Sequence, residues 1–143
     1  MKNPLPRLLS FKILGVATGL ALALPAAAES TAADVVGRWQ WKPTSGSCTE
    51  IHEYFADGRL ITHSGDEILE SRYVIAQAPQ GPGLFRVVST TTGSNGKPDC
   101  LGKLTPIGNT ATVYLRFNNA GWFYTCAGAN SMSCYGSAAP APK

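Results

Sequence analysis

Residues 49–64 read TEIHEYFADGRLITHS, and this stretch decides the fold class. Residues 49–55 mix β-branched, aromatic and polar side chains, the composition of a half-buried strand. Asp57-Gly58 is a strong hairpin signal, because glycine enters the positive-φ positions of a tight turn without strain. Residues 59–64 continue as the partner strand. Two registers fit this hairpin. A two-residue loop pairs Ala56 with Arg59 and sets His52 directly across from His63, with Glu50 on the same face. A type I turn with a bulge at Gly58 pairs Phe55 with Arg59 and sends the two histidines to opposite faces.

The same punctuation extends outward in both directions. Upstream, Trp39 and Trp41 follow Gly37 in a short β-prone run. Downstream, Gly65-Asp66 turns the chain into residues 68–77, and a Pro/Gly loop covers 78–83. Residues 84–92 hold Phe85, Val87 and Val88 followed by threonines. Residues 112–117 alternate, with Val113, Leu115 and Phe117 on one face and Tyr114 and Arg116 on the other. Residues 118–121 turn into 122–127, and 101–106 is ambiguous. The only helix candidate is a turn near 30–35. About seven or eight short, evenly spaced strands predict an all-β fold: a small antiparallel barrel or a strongly curved sheet.

The N-terminus gives the compartment. Lys2, Arg7 and Lys12 precede an apolar run over 13–24, then Pro25 and Ala26-Ala27-Ala28. This is the layout of a secretory signal peptide over 1–28, with a second small-residue cleavage point after Ala33. The run is short of the roughly 20 apolar residues of a membrane span, so a released product without a membrane anchor is expected. The predicted organisation is therefore a leader at 1–28, one domain at 29–136 and a frayed Ala/Pro tail at 137–143. Of the 12 Lys+Arg, three lie in the leader, leaving nine against 9 Asp+Glu. A near-neutral domain with scattered basic residues argues against nucleic acid as a partner.

Export also bears on the four cysteines, Cys48, Cys100, Cys126 and Cys134. An even count in an oxidising compartment predicts two disulfides. Of three possible connectivities, the favoured one joins Cys126 to Cys134 and Cys48 to Cys100. Chain entropy puts these bridges at about 2.6 and about 4 kcal/mol.

Val36-Gly37-Arg38-Trp39-Gln40-Trp41 resembles the Gly-x-Trp opening of lipocalin-like (calycin) barrels, and Glu53-Tyr54-Phe55-Ala56-Asp57-Gly58 looks like the Asp-Gly-ended strand of small bacterial members. The resemblance implies that Gly37 and Trp39 close one barrel end after a short turn at 34–36. It also implies that a basic residue of a late strand, Arg116, stacks on Trp39. It covers mainly 34–66. The family's second motif, with its Thr-Asp-Tyr core, is absent.

Catalytic signatures are not found. His52-Glu53 fails to complete HExxH, since position 56 is alanine. No Gly-x-Ser-x-Gly occurs, and paired cysteines offer no nucleophile. His52, His63 and Glu50 are the only metal candidates, and only in the two-residue register. The remaining carboxylates read as a solvated rim. The aromatic residues offer more: Trp41, Tyr54, Trp122 and Tyr124 are the candidates for ligand or partner contact. In Trp122-Phe123-Tyr124, strand alternation forces at least one large ring outward. The expected function is an exported, non-enzymatic binding protein without a cofactor. Its ligand is a small apolar molecule held in the barrel, or a partner protein held by a loop, as in a periplasmic inhibitor or immunity protein.

Overall fold

In the computed structural model, which describes residues 29–118 and 120–143, the 49–64 hairpin takes the bulged register. Strand β2 (Glu50–Tyr54) pairs with β3 (Arg59–Ser64) so that Tyr54 faces Leu60 and His52 faces Thr62. The Phe55 N–H donates to Arg59 O at 2.9 Å, and Gly58 turns at φ +81°. A side chain at Gly58 would be strained in this left-handed conformation and would press on Tyr73 O, so glycine fixes the register. His52 and His63 consequently point to opposite faces, and the cross-strand histidine pair does not form.

The remaining strands are β1 (Gly37–Pro43), β4 (Glu67–Gln77), β5 (Leu84–Ser94), β6 (Thr110–Phe117), β7 (Phe123–Cys126) and β8 (Cys134–Pro140). Each pairs antiparallel with its sequence neighbours, and β8 returns to β1, closing an eight-strand barrel. The all-β expectation is therefore met, at eight strands and with full closure. Among the described residues, closure leaves no strand edge unpaired. The β4–β5 pairing shifts register between Glu70 and Ser71, and the β7–β8 pairing between Thr125 and Cys126. The predicted helical turn is a short 3-10 segment, Ala32–Val35, capped by Thr31 and Asp34.

The tail expectation requires correction. Residues 137–140 are not frayed: Ser137 pairs with Lys42 and Pro140 with Trp39. The Ala/Gly composition that resembled a loose tail is what this strand needs. A Cβ placed on Gly136 would meet the Trp41 ring at 2.5 Å, so only glycine lets β8 approach β1 there. Ala138, 1% exposed, fills the space left beside Trp39 and Phe123. The expected leader, 1–28, lies outside the described residues.

The barrel interior differs along its axis. One end is an apolar floor. Trp39 packs edge-on against Phe117 and Phe123, at centroid distances of 6.2 and 4.7 Å. Its Nε1–H donates to Val35 O at 2.7 Å, fastening the 3-10 turn under the barrel. Leu115 and Val87 complete the floor at 1% exposure each. Trp39 is thus packed at one end of the barrel. The expected stack of Arg116 on it does not form: the Arg116 side chain lies outside the barrel, where Nη2–H donates to Ala129 O at 2.7 Å. Inward positions of β6 alternate through Val113, Leu115 and Phe117, so parity sends Arg116 outward. The cation stacked on a ring is instead Arg59, 4.4 Å above Phe55.

Both predicted disulfides are present, Cys48–Cys100 and Cys126–Cys134. They sit at the end opposite the floor. Cys48–Cys100 ties a long strap, 95–109, across that mouth.

Candidate functional site

Above the floor the barrel encloses a cavity of about 330 Å³ that opens toward the strap. Its walls are the inward positions of the strand ends nearest the mouth. Strand alternation delivers them in sequence pairs: Glu50 and His52 from β2, Thr62 and Ser64 from β3, Glu67 and Ser71 from β4. Ser89 and Thr91 of the adjacent β5 continue this wall, and Asp99 and Thr105 come from the strap. The lining is mixed: hydroxyls and carboxylates stand beside Leu60, Leu69, Ala111 and Val113, with aromatic rings from Trp41, Tyr54 and Tyr135.

A hydrogen-bonded chain organises one wall. Ser64 Oγ–H donates to Glu50 Oε1 at 2.8 Å, and Glu50 Oε2 accepts from His52 Nε2–H at 2.8 Å. The His52 ring lies nearly parallel to Trp41, 8° between planes and 5.8 Å between centroids. The Trp41 Nε1–H donates to Thr125 Oγ1 at 3.1 Å. Two of the three metal candidates, Glu50 and His52, therefore meet, and His63 is left exposed on the outside. Among the described residues the one group of three ligand-type atoms is Cys48, Glu50 and Cys100, and both its sulfurs are committed to a disulfide. No metal centre follows from this donor set.

Next along the same wall, paired with Ser64 across β3 and β4, Glu67 is 2% exposed. Its Oε1 accepts the Thr105 N–H at 2.9 Å, which holds the strap against β4. The reading of the carboxylates as a solvated rim missed this residue. The signal was present: Glu67 shares parity with Leu69, Ser71 and Tyr73, and so faces inward with them.

The cavity shifts the tyrosines that border it. Burial pushes the Tyr54 phenol far above the ordinary tyrosine range, with Tyr73 and Tyr135 adding to the effect. Tyr135 is raised as well, first by desolvation and then by the charge of Glu50. Both remain neutral phenols at physiological pH.

The four aromatic candidates divide between two places. Trp41 and Tyr54 line the cavity. Trp122 and Tyr124 lie on the outer surface and meet edge to face at 4.6 Å, with Phe123 between them buried at 1% exposure. Trp122 borders a shallow groove over Gln40, Lys42 and Ala139. Nearby, the Cys126–Cys134 loop exposes Met132 almost fully, at 95%. Comparison of the chain with protein-family models, with curated proteins and with solved structures returned no match.

Proposed function

We propose that this protein is an exported, non-enzymatic, lipocalin-like binding protein that holds a small polar molecule in the mouth of its barrel. The observation that carries the reading is the cavity itself: about 330 Å³, pre-formed, half-closed by a disulfide-tied strap and lined by convergent hydroxyls and carboxylates. A core filled by its own side chains would not leave this space. The lining changes the ligand class expected from sequence. An apolar ligand would leave Ser71, Ser89, Thr91 and Glu67 facing hydrocarbon, and buried polar groups without partners are costly. A polar ligand satisfies them.

The arrangement of Ser64, Glu50 and His52 supports binding over acyl transfer. In a hydrolytic triad the imidazole stands between hydroxyl and carboxylate and takes the hydroxyl proton. Here Glu50 stands between Ser64 and His52, so the hydroxyl donates to a carboxylate and has no imidazole base. The paired cysteines are compatible with the oxidising compartment to which a leader would direct the chain.

Thermal unfolding in the presence of small polar compounds tests the reading. Hydroxylated and charged compounds are expected to raise the melting temperature, and a fatty-acid probe is not. Ser89→Leu, which projects a large side chain into the cavity, is expected to abolish the shifts. Stabilisation by the fatty-acid probe alone would restore the apolar expectation.

A second reading, an inhibitor acting through a loop, draws on the exposed Met132 at the tip of the disulfide loop and on the neighbouring Tyr124, 42% exposed. Met132→Glu separates the two. It removes a loop-borne activity and leaves cavity binding intact.

A further inference from the structure

Resting on the cavity reading above, we infer that the ligand is a small organic cation, an amine or amidine, with Glu67 as its counter-ion. The charged groups lining the cavity are Glu50, Glu67 and Asp99, together with His52; no lysine or arginine is among them. Low-dielectric walls focus such a one-signed field into the cavity and concentrate cations there.

The three carboxylates are not equally free. Glu50 spends one oxygen on Ser64 and the other on His52. Asp99 spends Oδ1 on the amides of Leu101 and Lys103, each at 2.8 Å, shaping the strap. Glu67 uses only Oε1, on the Thr105 amide, and no donor among the described residues reaches Oε2. Glu67 is 2% exposed as a residue and lines the cavity, and its Oε2, with no donor among the described residues, is free to accept from an occupant. An ammonium or amidinium is such an occupant. Its remaining N–H groups are within the cavity that the Ser71 and Thr91 hydroxyls line, together with the rings of Trp41, Tyr54 and Tyr135.

A metal ion fits the same charges less well. Glu67, Asp99 and His52 do not converge on one point among the described residues. The space is that of a molecule of several heavy atoms, since about 330 Å³ greatly exceeds a bare ion.

Three ligands of one shape and different charge decide the matter: benzylamine, benzyl alcohol and benzoate, titrated calorimetrically into the oxidised protein. Benzylamine is expected to bind at least about ten-fold more tightly than benzyl alcohol, and benzoate to give no heat. Glu67→Gln keeps an acceptor for Thr105 and is expected to erase the advantage of the amine. Glu70→Gln, exposed outside the barrel, is expected to leave it intact. Equal binding of amine and alcohol, or tighter binding of benzoate, overturns the cation and leaves the cavity a ligand site. An amine preference that survives Glu67→Gln overturns the role of Glu67. No heat from any of the three overturns both this inference and the ligand reading beneath it.

Discussion

At the scale of single residues, two positions decide how the interior is built. Gly136 is where Trp41 crosses β8, and a Cβ there would sit 2.5–2.6 Å from three atoms of the indole. Gly136→Val therefore has to displace Trp41 from both His52 and Thr125. Overpacking of this kind costs about 1–3 kcal/mol, and urea unfolding should show a lower midpoint with an unchanged slope. Tyr54 makes a prediction about alkali. Its phenol in the barrel is raised above the unfolded value of 10.0. Below about pH 10 both states keep the proton and stability is whole. Above it the unfolded chain releases the proton and the barrel does not, so stability falls as pH rises. Urea midpoints should decline as pH rises above about 10, and Tyr54→Phe should flatten the decline. Equal slopes in the two proteins would sink this assignment.

At the scale of elements, the barrel was legible wherever one strand face is apolar. Val113, Leu115 and Phe117 announce β6, and Asp57-Gly58 announces the β2–β3 hairpin. Its register stayed open because both turns tolerate Ala-Asp-Gly, and only the Phe55–Arg59 pairing separates them. The mouth-facing strand ends were harder to read. Their inward residues are serine, threonine, histidine and glutamate, so polarity no longer marks the outside, and parity alone carries the information. This is why Glu67 was passed over. Strand β8 was lost for a related reason, since small residues that fit beneath tryptophans are compositionally the same as a loose tail. Deleting 137–143 tests its role. The truncated chain loses β1's second partner and the Ala138 contact with the core. It is expected to lose cooperative unfolding and near-ultraviolet circular dichroism, whereas removal of a frayed tail would change neither.

At the scale of the whole molecule, the two ends of the barrel are held by different means. The floor, with Trp39, Phe117, Phe123 and Leu115, is stabilised by apolar burial. The mouth gains less from burial, because its lining mixes polar with apolar groups and its centre is open. Both disulfides are located there. Covalent links thus stand where packing is weak, and they keep the cavity formed in the absence of an occupant. Cys48–Cys100 closes a span of 52 residues, for which chain entropy gives about 4 kcal/mol. Replacing both cysteines with serine should lower global stability by roughly that amount, measured by urea unfolding. The loss should also be uneven. With the strap then held by hydrogen bonds at its two ends and at Thr105 and residue 100, amides over 97–104 should exchange quickly, while those of Trp39, Leu115 and Phe123 keep their protection. Hydrogen exchange resolved by residue reads this directly. Uniform loss of protection across floor and mouth would mean that the bridge supports the whole barrel, and the division of labour between burial and cross-link would fall.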